Sequence, residues 1–292
     1  MRNNKKIKEK DFVGSLAFQN TIKKTKFKQF ILYLFISIIS IIIMFVLMSL
    51  VSNYVIHSKI EEEKLQRTQQ FFDGLIGAGI VDFDVIYSHG FLSTEEQVTY
   101  YKKIGDRKIP WEIDTRIYPV FGDVKSINPT RGENFEVSNT ERTVRYNHLN
   151  NERKVDFYYP HIGYHNLPNE LEIAVGLDEN KLIEVALSFE ISLSPKELSN
   201  ILGTKNVDWL WADESDSSHF NELGESEYDF DHIMFGEKAK GYLVSEENPY
   251  TQMDPTILIS GALISGTPSE LERFLDLDII RASVIGVTLD LY

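Results

Sequence analysis

His161 and His165 stand four residues apart, the interval at which two imidazoles on one helix face can share a zinc ion. Gly163 lies between them, Pro160 and Pro168 flank them, and no Glu follows His161. The stretch therefore reads as a loop with two solvated histidines rather than a metal site. Asp82 and Asp84, two apart in "IVDFDVIYS", share one strand face, where they fit either a general acid–base pair or an exposed edge. "GLIGAG" at 74–79 has the wrong spacing for a dinucleotide turn and lacks the Lys-Ser/Thr of a phosphate loop. No G-x-S-x-G elbow occurs. Residues 213–231 carry eight acids without the Asp ladder, central Gly and closing Glu of a calcium loop, so they read as a solvated insert. Trp209 and Trp211 alternate on a strand with Val207, a spacing that suits a core face more than a stacking platform. Trp111, Tyr158, Tyr159 and Tyr164 fit a core or a recognition surface. No catalytic, metal or cofactor-binding residue is assigned, and no enzymatic activity is expected.

The strongest signal is one of organisation. Gln29 to Ser58 holds no formal charge, and Phe30 to Val51 is an unbroken apolar run. Twenty-two helical residues rise about 33 Å, enough for a hydrocarbon core of about 30 Å. Only a helix satisfies its own backbone there. The run is longer than a signal-peptide core, and Val51 to His57 offers no A-x-A site, so a retained anchor is expected. Residues 1–28 hold nine cations and two acids, a net of +7. The remainder holds 21 cations and 42 acids, a net of −21. Lys23, Lys24, Lys26 and Lys28 crowd the start of the span and place the N-terminus in the cytoplasm, with the acidic part outside. That acidity argues against nucleic-acid binding by the ectodomain. The chain has no Cys and hence no disulfide framework.

The expected divisions are a cytoplasmic tail (1–28), a transmembrane helix (29–57), a juxtamembrane helix (58–73), a β-rich lobe (74–176) and an α+β lobe (177–292). The stem "KIEEEKLQRTQQFF" offers Lys59–Glu63 and Glu63–Arg67 as i,i+4 pairs, with Gly74 as a stop. "STEEQVTYYKKI" has the grammar of a capped helix, with Ser93 or Thr94 as cap and Glu96 as its partner. "RTVRYNHLNNERKVDFYYP" reads as a hairpin turning at 148–152. In the last third, "KLIEVALSFE", "VDWLWADE", "TILISGALIS" and "IRASVIGVTLD" read as strands. Two helices open alike, with Ser194-Pro195 and Glu197, then Thr267-Pro268 and Glu270. The order β-α-β, acidic insert at about 213–250, β-α-β predicts a ferredoxin-like βαββαβ lobe with an insertion.

A basic leader, one inward-anchored span and an acidic ectodomain ending in "VALSFEISLSPKELSNIL…VDWLWADE", "NPYTQMD" and "LISGTPSELERFLDLDIIRASVIGVTLD" form a recognisable outline. The chain resembles the sigma factor regulator family, membrane anti-sigma factors of Gram-positive bacteria that restrain an extracytoplasmic-function sigma factor. Residues of about 11–110 resemble the family's first module and about 170–292 its C-terminal module. The resemblance implies a cytoplasmic segment that holds the sigma factor, an ectodomain that senses envelope state and a co-encoded small membrane partner. Two features depart from such regulators: a cytoplasmic part of only about 28 residues, and no His/Cys zinc module.

In the tail, "DFVGSLAFQNTIKK" is the candidate contact element. Phe12, Leu16 and Ile22 line one rough helical face, with Asp11 as cap. Two readings fit this face: a sigma-factor contact, and an amphipathic segment lying on lipid. At the level of the whole chain the rival to an anti-sigma factor is an envelope-tethered binding or scaffold protein with no sigma partner.

Overall fold

The computed structural model of the chain describes residues 16–127, 134–138, 143–212, 233–244 and 253–292. The chain divides into two units, Met1–His57 and Ser58–Tyr292. One helix, α1 (Leu16–Phe72), contributes to both. In the first unit its apolar side chains from Phe30 to Val51 are almost all exposed, as lipid contact requires. A helix long and apolar enough to cross a membrane is present, in line with single-pass anchoring. At its far end Gly74, with φ of 71°, turns the chain away.

Three long strands follow: β1 (Ile80–His89), β2 (Ser93–Ile104) and β3 (Arg107–Pro119), with a short β4 (Lys125–Ile127) beside β3. They form an antiparallel sheet in the order β1-β2-β3-β4. Residues 93–104 are thus a strand and not the expected capped helix. Thr94, Glu96, Val98, Tyr100, Lys102 and Ile104 are all buried, a strict alternation. The Ser-x-x-Glu grammar was satisfied, but Val98, Thr99, Tyr100 and Tyr101 favour a pleated surface, and the period of two decided the outcome.

Strands β5 (Asn134–Ser138) and β6 (Thr143–Asn147) pair with each other. The chain turns at 148–150, and Tyr146 bridges Arg153 as a hairpin would. The next strand, β7 (Asp156–Tyr158), however, pairs with β10 (Ile233–Phe235) rather than with β6. Its three residues are all buried. They are drawn onto a large apolar sheet, and that burial outweighs continuing a local hairpin.

That sheet holds β8 (Lys181–Leu193), β9 (Val207–Ala212), β11 (Gly241–Leu243), β12 (Ile259–Gly266) and β13 (Ile280–Asp290), in the order β11-β9-β12-β8-β13, every neighbour antiparallel. On one face lie α2 (Leu171–Val175), α3 (Pro195–Leu202) and α4 (Pro268–Leu271), with Leu171, Leu198, Leu202, Leu271 and Phe274 packed on Ile183, Val185, Leu187 and Ile264. Ser194 with Glu197 and Thr267 with Glu270 both form capping boxes, as the sequence indicated. On the other face Trp209 and Trp211 pack with Phe157, their ring centroids 5.8 and 5.1 Å from it. Val207 does not join them. The register shifts between Leu263 and Ile264, so Val207 swings to the helix-covered face. Residues 213–232, which hold the acidic run, lie outside the described residues.

Candidate functional site

The stem, residues 58–72 of α1, belongs to the second unit and lies along the first sheet. Four of its residues, spaced by four, reach that sheet. Lys59 Nζ donates to the carbonyls of Pro119 and Gly122, both at 2.7 Å. Glu63 pairs with Arg116, whose Nε is also 2.8 Å from Asp114 Oδ2. Arg67 pairs with Glu96. Phe71 meets Phe83 edge-on, ring centroids 6.0 Å apart, and Phe83 in turn meets Tyr100 at 5.9 Å. A four-residue spacing advances about 400° around a helix, so all four lie on one stripe.

The partners differ from the local reading. Lys59, Glu63 and Arg67 were expected to pair along the helix. Each instead finds a partner on the sheet, and the helical pair present is Glu61–Lys64. An exposed i,i+4 pair is worth only about 0.3–0.5 kcal/mol. A partly or fully buried partner across an interface displaces it without difficulty.

At the centre is Glu96. Its side chain is 0% exposed and that of Arg67 3%. Arg67 Nη1 and Nη2 donate to Oε1 at 3.2 Å and Oε2 at 2.6 Å, Tyr87 donates to Oε1 at 2.9 Å, and Tyr118 to Oε2 at 2.6 Å. Burial pushes the Glu96 carboxyl up, but the bonds from Arg67 and Tyr118 outweigh it and hold it below the usual carboxylate range. Burial and the adjacent carboxylate push the Tyr87 hydroxyl up to about 12, and Tyr118 rises for the same reasons. Both tyrosines are therefore donors at neutral pH. Both carboxylate oxygens of Glu96 and both terminal nitrogens of Arg67 are bonded, while Arg67 Nε is buried without a partner; a buried pair of this bidentate geometry holds rather than frays.

Six residues along the same buried face of β2, Lys102 makes a second buried pair, with Glu184 of β8 at 2.7 Å, and lies 4.2 Å from the centre of the Trp111 ring. Glu184 also accepts from Val287 N at 3.2 Å. One strand thus grips the stem through Glu96 and the C-terminal sheet through Lys102. A third link is backbone: Gly241 N donates to Gly74 O at 3.1 Å, and a Cβ on Gly74 would stand 1.9 Å from Gly241 O. Gly74, the first glycine of "GLIGAG", serves this close approach, and Gly77 and Gly79 stand close to Glu237 and Leu263.

Of the candidate contact residues in the tail, Phe12 lies outside the described residues, and Leu16 is the first residue of α1. Ile22, Lys23, Lys24, Lys26 and Lys28 are exposed on that helix. His161 and His165 are exposed in non-helical backbone. Among the described residues no three His, Asp or Glu side chains gather as a metal site. Asp82 pairs with Lys108 at 2.6 Å on the sheet's open face, and Asp84 bonds Tyr101. Trp111, Trp209 and Tyr158 are buried. The stem stripe is not legible in the sequence, because a partner across an interface leaves no mark in local spacing. The one available signal was an acid, Glu96, standing at an inward position between Thr94 and Val98.

Residues 19–109 match the model of the sigma factor regulator N-terminal region. The match supports the sigma factor regulator family. It takes in the span, the stem, β1 and β2, and so includes Arg67, Glu96 and Tyr87. Its bounds lie close to the 11–110 expected from the sequence. The family is regulatory rather than catalytic. Comparison with curated proteins and with solved structures gives no match.

Proposed function

We propose that this sigma factor regulator is a single-pass anti-sigma factor. Residues 1–28 face the cytoplasm and sequester an extracytoplasmic-function sigma factor. Residues 58–292 face outward and sense the state of the envelope. The charge split between the two segments, +7 against −21, supports this orientation. Phe12, Leu16 and Ile22 supply apolar contacts to the sigma factor, with Lys23, Lys24, Lys26 and Lys28 setting topology. A co-encoded small membrane protein is a second partner, and DNA is not contacted directly.

The stripe of Lys59, Glu63, Arg67 and Phe71 is the observation that carries this reading. A stem that only stood a domain off the lipid would need no buried charge. Here the residues continuing the span are locked to the strand that also grips the C-terminal sheet. Separating Arg67 from Glu96 strands two buried charges, so the contact has two distinct states, made or broken, with little between. A ligand or a load that favours one state of residues 58–292 would thereby act on α1.

The C-terminal segment serves as the sensor and is a ferredoxin-like βαββαβ lobe carrying an insertion. The strand order β9-β12-β8-β13, with α3 and α4 on one face, supports that assignment. The test is affinity capture of the full chain from detergent extract, beside a variant lacking residues 2–20. The full chain is expected to bring down a sigma factor and the variant to lose it. Equal recovery from both, or from neither, contradicts the proposal.

A further inference from the structure

We infer that two turns at one end of the first sheet rest in the headgroup region of the bilayer, with Phe91, Leu92 and Phe121 as the lipid-contacting side chains. The inference rests on α1 spanning a membrane, and it concerns residues outside the stem stripe. These three apolar residues are exposed, by 42%, 42% and 76%. Phe121 is distant in sequence from the adjacent Phe91 and Leu92, but they belong to one patch, because Val120 N donates to Leu92 O at 2.9 Å and ties the β1–β2 turn to the β3–β4 turn. The patch has a fixed address on the stem. Lys59 Nζ donates to the carbonyls of Pro119 and Gly122, which flank Phe121.

Lys59 is the first charged residue after the uncharged run that ends at Ser58. A lysine directly after a span sits at the level where hydrocarbon gives way to headgroups. The strand directions agree. The contacts Phe71–Phe83, Arg67–Glu96, Glu63–Arg116 and Lys59–Pro119 run in order down the stem. The turns bonded to Lys59 thus lie at the Ser58 end of the stem, and the turn at Gly105 is at the opposite end of β2 and β3. Gly122, with φ of 87°, has no heavy atom of the described residues within 4 Å of where a Cβ would stand, so the turn is open at this position. Asp123 and Lys125 beside it carry one charge of each sign, which leaves no net charge to repel an anionic surface. Apolar side chains at a tip, tied to a lysine at the end of a span, are placed to enter the interface.

The chain has no Cys, so single labelling sites are unambiguous. Full-length Phe121→Cys, Phe91→Cys and, as a control, Ile173→Cys on α2 are labelled with an environment-sensitive fluorophore. They are reconstituted in phosphatidylethanolamine–phosphatidylglycerol vesicles that hold a lipid spin-labelled near its headgroup. Emission at positions 121 and 91 is expected to shift to the blue and to be quenched severalfold more by the spin-labelled lipid than at 173. Equal behaviour at all three positions overturns the proposal. Protection of 121 and 91 from aqueous iodide without quenching by the lipid label also overturns it, because a second copy of the chain would then be covering the patch.

Discussion

Replacing Arg67 by Met isolates the buried pair, since Met keeps the length of the side chain and removes its charge. In the variant, Glu96 would stay buried with Tyr87 and Tyr118 still donating but with no counter-charge. Breaking a buried ion pair from one side costs about 3–5 kcal/mol. The two tyrosine bonds keep the loss toward the lower end. Glu96→Gln removes the charge on the other side, and the double variant removes both. A double-mutant cycle is therefore expected to return a coupling of about 2–3 kcal/mol. The assay is denaturant unfolding of the full chain in detergent, followed by tryptophan emission. Trp111, Trp209 and Trp211 are all buried in residues 58–292 and leave the span silent. The pH dependence has a definite sign. In the parent chain Glu96 is held below its ordinary value. It thus contributes stability above the unfolded carboxylate value of about 4.3, lost as pH falls through the folded one. In Arg67→Met, burial remains and the counter-charge is gone, so the folded value rises above the unfolded one. That variant should gain stability as pH is lowered from 8 to 5. A coupling below about 0.5 kcal/mol, or a variant that weakens on acidification as the parent does, would refute the buried clamp.

Three further outcomes follow from the same structure. Trp209→Ala should cost about 3–5 kcal/mol in the same unfolding assay, because Trp209 is 2% exposed and packed on Phe157; a loss under 1 kcal/mol would mean that the ring is not in the core. Gly74→Ala should lower the melting temperature by more than a surface substitution does, since the added Cβ meets Gly241 O and the left-handed φ is strained. Burial lifts the Asp208 carboxyl to about 7, against the opposing bond from Ser265; its stability contribution is present below about 4 and declines as pH rises towards 7, so Asp208→Asn should flatten that decline in unfolding measured from pH 4 to 8.

What could be read directly from the sequence was whatever is decided over a few residues. Composition alone marks the span, and the Ser194 and Thr267 capping boxes formed as their spacing indicated. The pairing of β8 with β13 followed from the order of elements. Three matters were settled instead by distant partners. Residues 93–104 had helix-start grammar, but their inward row needed a sheet and a stem to cover it. The stem charges had acceptable neighbours on the helix, and only the folded sheet offered better ones. Val207 left the tryptophan face because of a bulge set by β12, on the other side of the acidic run. In each case the deciding interaction joined residues that no local window contains.

The central claim is that residues 1–28 restrain a sigma factor, and a transcription reporter tests it most directly. Phe12→Ala with Leu16→Ala is expected to release sigma-dependent transcription while the protein stays in the membrane fraction, and deletion of residues 2–20 is expected to release it further. If both variants are inserted normally and both leave the reporter silent, the tail does not hold a sigma factor and the anti-sigma account is wrong.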